Sequence, residues 1–122
     1  RLSRAESALV VPYTWFDAAE TDLQMGHAGP LETSFLLHRH PDLVHEDRFE
    51  AAAADGSESW GEWVSGANLA HDTASFSENG TVGDPGEASA GSGEALLESA
   101  ADALVDLLAA VEAAPIEQPP LK

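Results

Sequence analysis

The last quarter of the chain restricts its fold more than any other stretch. Residues 87–114 hold no proline until Pro115, and Leu97, Ala101, Leu104, Leu108 and Val111 recur at alternating spacings of four and three. That is the period of an α-helix with one buried face, so one long helix is predicted, and it needs a surface to bury against. Opposite that face, Glu94, Glu98, Asp102 and Asp106 follow one another at i, i+4. Like charges so placed cost about 0.2–0.5 kcal/mol per pair in dilute buffer. Burial or salt must offset them.

The same acidity runs through the whole chain. Its 22 Asp and Glu face 5 Lys and Arg, for a formal net charge of -17. Disorder, the plain consequence of such charge, is opposed by three tryptophans, four phenylalanines and clear aliphatic periodicity. A surface this acidic repels phosphate backbones, which excludes nucleic acid as a partner. Acid in excess, almost no lysine and alanine as filler resemble proteins of organisms that keep molar salt in the cell, and point to a halophile. At about 1 M salt the Debye length is roughly 3 Å, so the self-repulsion is largely screened. Without cysteine the chain has no disulfide, no thiolate metal ligand and no cysteine nucleophile. No apolar run is long enough to span a bilayer and no basic, apolar leader is present, so a cytoplasmic protein with no membrane partner is expected. Its 122 residues suit a single domain over 1–122, with a flexible tail at 115–122.

Ahead of the long helix, residues 7–16, "SALVVPYTWF", are rich in β-branched and aromatic residues and read as a buried strand, with Pro12 near its exit. A loop over 17–30 follows. Pro30 suits a first helical turn and Pro41 disfavours helix at His40, which frames a helix of about ten residues. "PDLVHEDRFEAAAADG" reads as a turn and a short helix ended by Gly56. Residues 57–86 are loop-like, yet carry Trp60, Trp63 and Phe76, as a lid or docked surface would.

The stretch "GHAGPLETSFLL" holds the candidate chemistry. His27 and Glu32 sit after a strand and at a helix start, where α/β enzymes place their sites. A histidine there can move protons near neutral pH, and a carboxylate can bind metal or hold a water. From spacing alone the plainer reading is that Glu32 serves the helix dipole and His27 is a loop histidine. Gly26, Ala28 and Gly29 are small enough to let the backbone approach a ligand or another chain segment. His38, His40 and His45, with Glu46 and Asp47, have no metal-site spacing, and His71-Asp72 reads as a surface pair. Gly80, Gly83 and Gly86 lack the phosphate-loop pattern, and no G-x-S-x-G marks a serine nucleophile.

Three stretches carry a resemblance that runs over about residues 8–113. "GHAGPLETSFLLHRHPDLV" resembles the H-A-G-x-x-E-T-S motif and following helix of the creatininase family of metal-dependent amidohydrolases, and "NGTVGDPGEASAGSGEALLE" resembles that family's G-x-x-G-D-P turn and final helix. "VVPYTWF" looks like the strand ahead of the histidine loop. The resemblance implies an α/β fold, a three-layer α/β/α sandwich, here only its carboxy-terminal portion. It implies hydrolysis of a C–N amide bond, in a cyclic amide or formamide, by metal-activated water. His27 would contact substrate and move protons, with Gly26 and Ala28 beside the substrate. Glu32 would stand at the metal centre, as a possible ligand of zinc, manganese or iron. The family's amino-terminal ligand motifs, E-x-H-G-x-H and N-G-H-G-G-N, do not occur in this sequence. Most metal ligands would therefore lie outside the chain, which by itself is expected to be inactive and to work as a homo-oligomer or with an amino-terminal half. Leu23 and Gln24 supply no aromatic wall before His27, which argues against creatinine as substrate. The alternative is a non-catalytic remnant acting as an oligomerisation or binding module.

Overall fold

The computed structural model describes residues 9–115. By backbone proximity the chain forms two compact units, Thr21–Leu97 and the pair of segments Arg1–Glu20 with Glu98–Lys122.

In the Thr21–Leu97 unit, helix α2 spans Pro30–Arg39, with Pro30 at its first position, where a missing N–H costs nothing. Single 3-10 turns at Pro41–Leu43 and Glu46–Arg48 lead into the short helix α3, Phe49–Ala54. Two two-residue strands, β1 (Trp63–Val64) and β2 (Ala67–Asn68), pair antiparallel. Ser65 and Gly66 between them both have positive φ, +51° and +83°, which suits a two-residue turn matched to the strands' twist. Further 3-10 turns lie at Thr73–Ser75 and Pro85–Glu87, and the latter packs against both α2 and α3. The long helix α4, Ala90–Ala113, starts in this unit. Ser89 caps it by accepting from the Ser92 N–H at 3.0 Å.

The core of this unit is small. Leu31, Leu37, Val82 and Leu96 are its buried aliphatic side chains. Thr33, Ser34, Ser77 and Thr81 are buried beside them. Ser34 Oγ accepts from the Ser89 N–H at 3.1 Å, and Ser77 Oγ donates to the Thr81 carbonyl at 2.9 Å. Hydrogen bonding makes such polar burial tolerable.

In the other unit, helix α1 covers Trp15–Ala18, and the Trp15 and Phe16 rings meet edge to face at 5.7 Å. The Glu20 N–H donates to Ser99 Oγ at 2.8 Å and ties this segment to α4. On α4, Ala100 is buried, while Leu104, Val105 and Leu108 are exposed.

Several expectations are corrected. Residues 9–14 form no strand, and Trp15–Ala18 are helical. Residues 7 and 8 lie outside the described residues, as do 116–122 of the expected tail. Strand-like composition becomes a strand only where a neighbouring ladder accepts it, and Pro12 withholds one donor. The apolar face of α4 is turned by one residue: Leu96 and Ala100 are buried and Ala103 and Leu107 half-buried, whereas of the expected series Ala101, Leu104 and Leu108 are exposed and Leu97 and Val111 half-buried. Gly93, which carries no hydropathic signal, lies on the same turned face, against Ser34. The described residues are thus mixed, helical with a small two-stranded sheet, as an α/β fold allows. Among them no helix is long and apolar enough to cross a membrane.

Candidate functional site

His27 is held through its backbone. Its N–H donates to the Val82 carbonyl at 3.0 Å, and its carbonyl accepts from the Val82 N–H at 2.8 Å. Val82, fully buried, is also bracketed by Ser57, whose N–H donates to the Thr81 carbonyl and whose carbonyl accepts from the Gly83 N–H. Three loops therefore converge on one valine. The approach requires glycine: a Cβ on Gly26 would fall on the Val82 carbonyl oxygen, and one on Gly29 would lie 2.5 Å from it. The smallness of Gly26 thus serves contact with another chain segment, one of the two readings open from sequence.

The next residue is clamped from the helix that follows. Ala28 has φ +50°, a left-handed conformation uncommon for a residue with a Cβ. Its N–H donates to Glu32 Oε2 at 2.7 Å, and its carbonyl accepts from Thr33 Oγ1 at 3.2 Å. Glu32 is the third residue of α2 and reaches back over the helix start, one residue beyond the N-cap Gly29 that a capping box would engage. Its charge there also favours the positive end of the helix.

The side chains of His27 and Glu32 meet. His27 Nδ1 lies 3.5 Å from Glu32 Oε2, with the side chains 63% and 40% exposed. That distance is an ion-pair contact and long for a hydrogen bond. A carboxylate at Nδ1 favours the tautomer protonated there and leaves Nε2 to accept or give a proton. The imidazole is open to a ligand, whereas its backbone is fixed on both sides.

Two donors do not make a metal centre, which takes about three or four protein ligands. Among the described residues no group of three or more His, Asp or Glu is placed to hold a metal ion. One oxygen of Glu32 already serves the Ala28 N–H. The residues present therefore do not fit a metal by themselves.

The remaining candidates are not drawn to this place. His40, His45 and His71 are exposed and His38 half-buried. A cavity of about 480 Å³ is lined by Gln24, Ser57, Glu58, Gly83, Asp84 and Glu87, with neither His27 nor Glu32 in its wall. Its three carboxylates oppose phosphate, and Asp84 Oδ1 is engaged by the Gly86 N–H at 2.7 Å, closing the G-D-P turn. Trp60 and Phe76, on the aromatic loop, pack edge to face at 6.4 Å. Sequence reasoning missed Val82 and Thr33, whose parts here are a backbone pairing and a hydroxyl clamp. Only the Glu-Thr pair following Gly-Pro could have signalled the clamp.

A family model described as creatininase, creatinine amidohydrolase, matches residues 3–108. No curated protein and no solved structure matches the chain significantly.

Proposed function

The chain belongs to the creatininase, or creatinine amidohydrolase, family, and on that premise we propose that it supplies the proton-transfer part of an amidohydrolase acting on a cyclic amide or formamide. The observation that carries this reading is the His27–Glu32 contact, 3.5 Å between Nδ1 and Oε2, in which the imidazole stays 63% exposed. As water adds to the amide carbon and the C–N bond breaks, His27 Nε2 takes a proton from the attacking side and returns it to the leaving nitrogen. Glu32 stabilises the imidazolium formed in between. Proton transfer by one positioned group contributes about 10²–10⁴-fold.

The family is generally metal-dependent, and the ion, zinc, manganese or iron, would be held mainly by residues outside the described ones. The chain alone should therefore turn over no amide. With an amino-terminal half supplying ligands, hydrolysis should appear and should fall at least about 10²-fold in His27→Ala. Unaltered hydrolysis in that variant would remove the assigned role.

A second reading has its own observation. Leu104, Val105 and Leu108 are exposed on α4, at 41%, 63% and 58%. Such a face suits association, with a second copy or with an amino-terminal half. Sedimentation in about 1 M KCl, where the Debye length is roughly 3 Å, tests it: a monomer that stays monomeric when that half is added would end it.

A further inference from the structure

His27 can work only if its ring is presented the same way in every molecule, yet its loop is short of glycine at the one residue with left-handed backbone, Ala28 at φ +50°. Two peptide planes meet at the Ala28 Cα. The first, between His27 and Ala28, is anchored by the Val82 N–H on its carbonyl at 2.8 Å and by Glu32 Oε2 on its N–H at 2.7 Å. The second, between Ala28 and Gly29, has its carbonyl anchored by Thr33 Oγ1 at 3.2 Å. With both planes pinned, φ and ψ of Ala28 are fixed together. Removing either anchor frees the residue to return to the ordinary right-handed or extended regions.

We propose that Thr33 is a positioning residue for His27: its hydroxyl holds Ala28 left-handed, so that one oxygen of Glu32 faces both the Ala28 N–H and His27 Nδ1. The proposal deepens the amidohydrolase reading and rests on it for the use made of His27. Thr33 itself sits in the interior of its unit. It is 8% exposed, and its own N–H continues the helix by donating to the Gly29 carbonyl at 3.1 Å. The hydroxyl is therefore the part of Thr33 that hydrogen-bonds Ala28. Released from the clamp, Ala28 relaxes, its N–H leaves Glu32 Oε2, and the carboxylate no longer faces the imidazole.

The test uses the full chain and needs no turnover, so it stands apart from whether the chain serves hydrolysis. Thr33→Val keeps the shape and removes the hydroxyl; Thr33→Ser keeps the hydroxyl and removes the methyl. In each, nuclear magnetic resonance reads the ring nitrogens of His27, which report the tautomer, and the HN–Hα coupling of Ala28, which reports φ. The rest of the amide spectrum reports the fold. Expected in Thr33→Val is the loss of the left-handed coupling at Ala28 and a shift of the His27 ring from the Nδ1-protonated tautomer toward the Nε2-protonated one that an unpartnered imidazole favours, with other amides unmoved. Thr33→Ser should restore both signals. Wild-type coupling and tautomer in Thr33→Val, or a Thr33→Ser that behaves like Thr33→Val, would overturn the proposal, the second outcome by assigning the effect to methyl packing.

Discussion

Gly93 on α4 lies so close to Ser34 on α2 that a Cβ added to Gly93 would fall on the Ser34 carbonyl oxygen, and would meet His38 Cβ at 2.9 Å. Two helices are thus in backbone contact beside the buried Leu96 and Leu37. Gly91, two positions earlier, has nothing within 4 Å of the same added atom. The two glycines should therefore respond to alanine with opposite signs. Gly91→Ala gains helix propensity in open space and should stabilise by about 0.5–1 kcal/mol. Gly93→Ala gains the same propensity but forces backbone from backbone. Overpacking costs about 1–3 kcal/mol or more, so it should lose at least about 1 kcal/mol net. Urea midpoints of the two variants decide the matter. Equal shifts would show that α2 and α4 are not in contact at Gly93.

The exposed imidazole of His27 and the engaged carboxylate of Glu32 predict different separations of stability from function. His27→Ala should change stability by no more than about 0.5 kcal/mol, because the side chain is mostly in solvent. Glu32→Gln keeps an oxygen for the Ala28 N–H and should fold, while losing the charge at His27 Nδ1. Glu32→Ala loses the oxygen too, at a cost of about 0.5–2 kcal/mol by analogy with lost helix caps. Thermal unfolding ranks the three. A His27→Ala as destabilised as Glu32→Ala would mean that the imidazole is a structural group.

How much of this was legible in the sequence depends on what kind of contact each residue makes. Helix α2 could be framed between Pro30 and Pro41 because proline acts locally, and α4 could be found from its period. The rotation of α4 could not, because the turned face includes Gly93, whose close approach to Ser34 hydropathy does not record. Val82 looked like one more apolar residue in a glycine-rich turn. Its part, pairing with His27 through backbone atoms, leaves no side-chain signature. Position and family resemblance single out His27 and Glu32, and the structure brings their side chains together. In Glu32 the same oxygen engages the N–H ahead of the helix start and faces the histidine. Residues 9–14 misled because β-branched composition states a preference without supplying the neighbouring strand.

Salt should stabilise this chain. Glu94, Glu98, Asp102 and Asp106 stand one turn apart on α4, within a chain of net charge -17. Raising KCl from 0.1 to 1 M shortens the Debye length from about 10 to about 3 Å and screens most exposed pairs. The melting temperature should climb over that interval and then level off, as screening saturates. Asp102→Asn should reduce the climb, because it removes two like-charge pairs at once, those with Glu98 and Asp106. A melting temperature indifferent to KCl would show that these carboxylates do not limit stability.

Ala28 offers the sharpest test of the clamp around His27. A left-handed backbone costs an alanine about 1–2 kcal/mol. Glycine removes that strain, while its freer unfolded chain returns about 0.4–1 kcal/mol to the other side. Ala28→Gly should accordingly be neutral to stabilising by up to about 1.5 kcal/mol, an unusual sign for a substitution to glycine. If Thr33 works by holding Ala28 left-handed, the strain is what its hydrogen bond opposes, and the two positions must couple. Thr33→Val should cost less in an Ala28→Gly background, where no strain remains to be opposed, than in the native one. A double-mutant cycle on unfolding free energy measures the difference, and coupling between touching residues of about 0.5 kcal/mol or more is resolvable. Additivity within error would mean that the hydroxyl of Thr33 and the conformation of Ala28 are independent, and that the left-handed turn is held by Glu32 and Val82 alone.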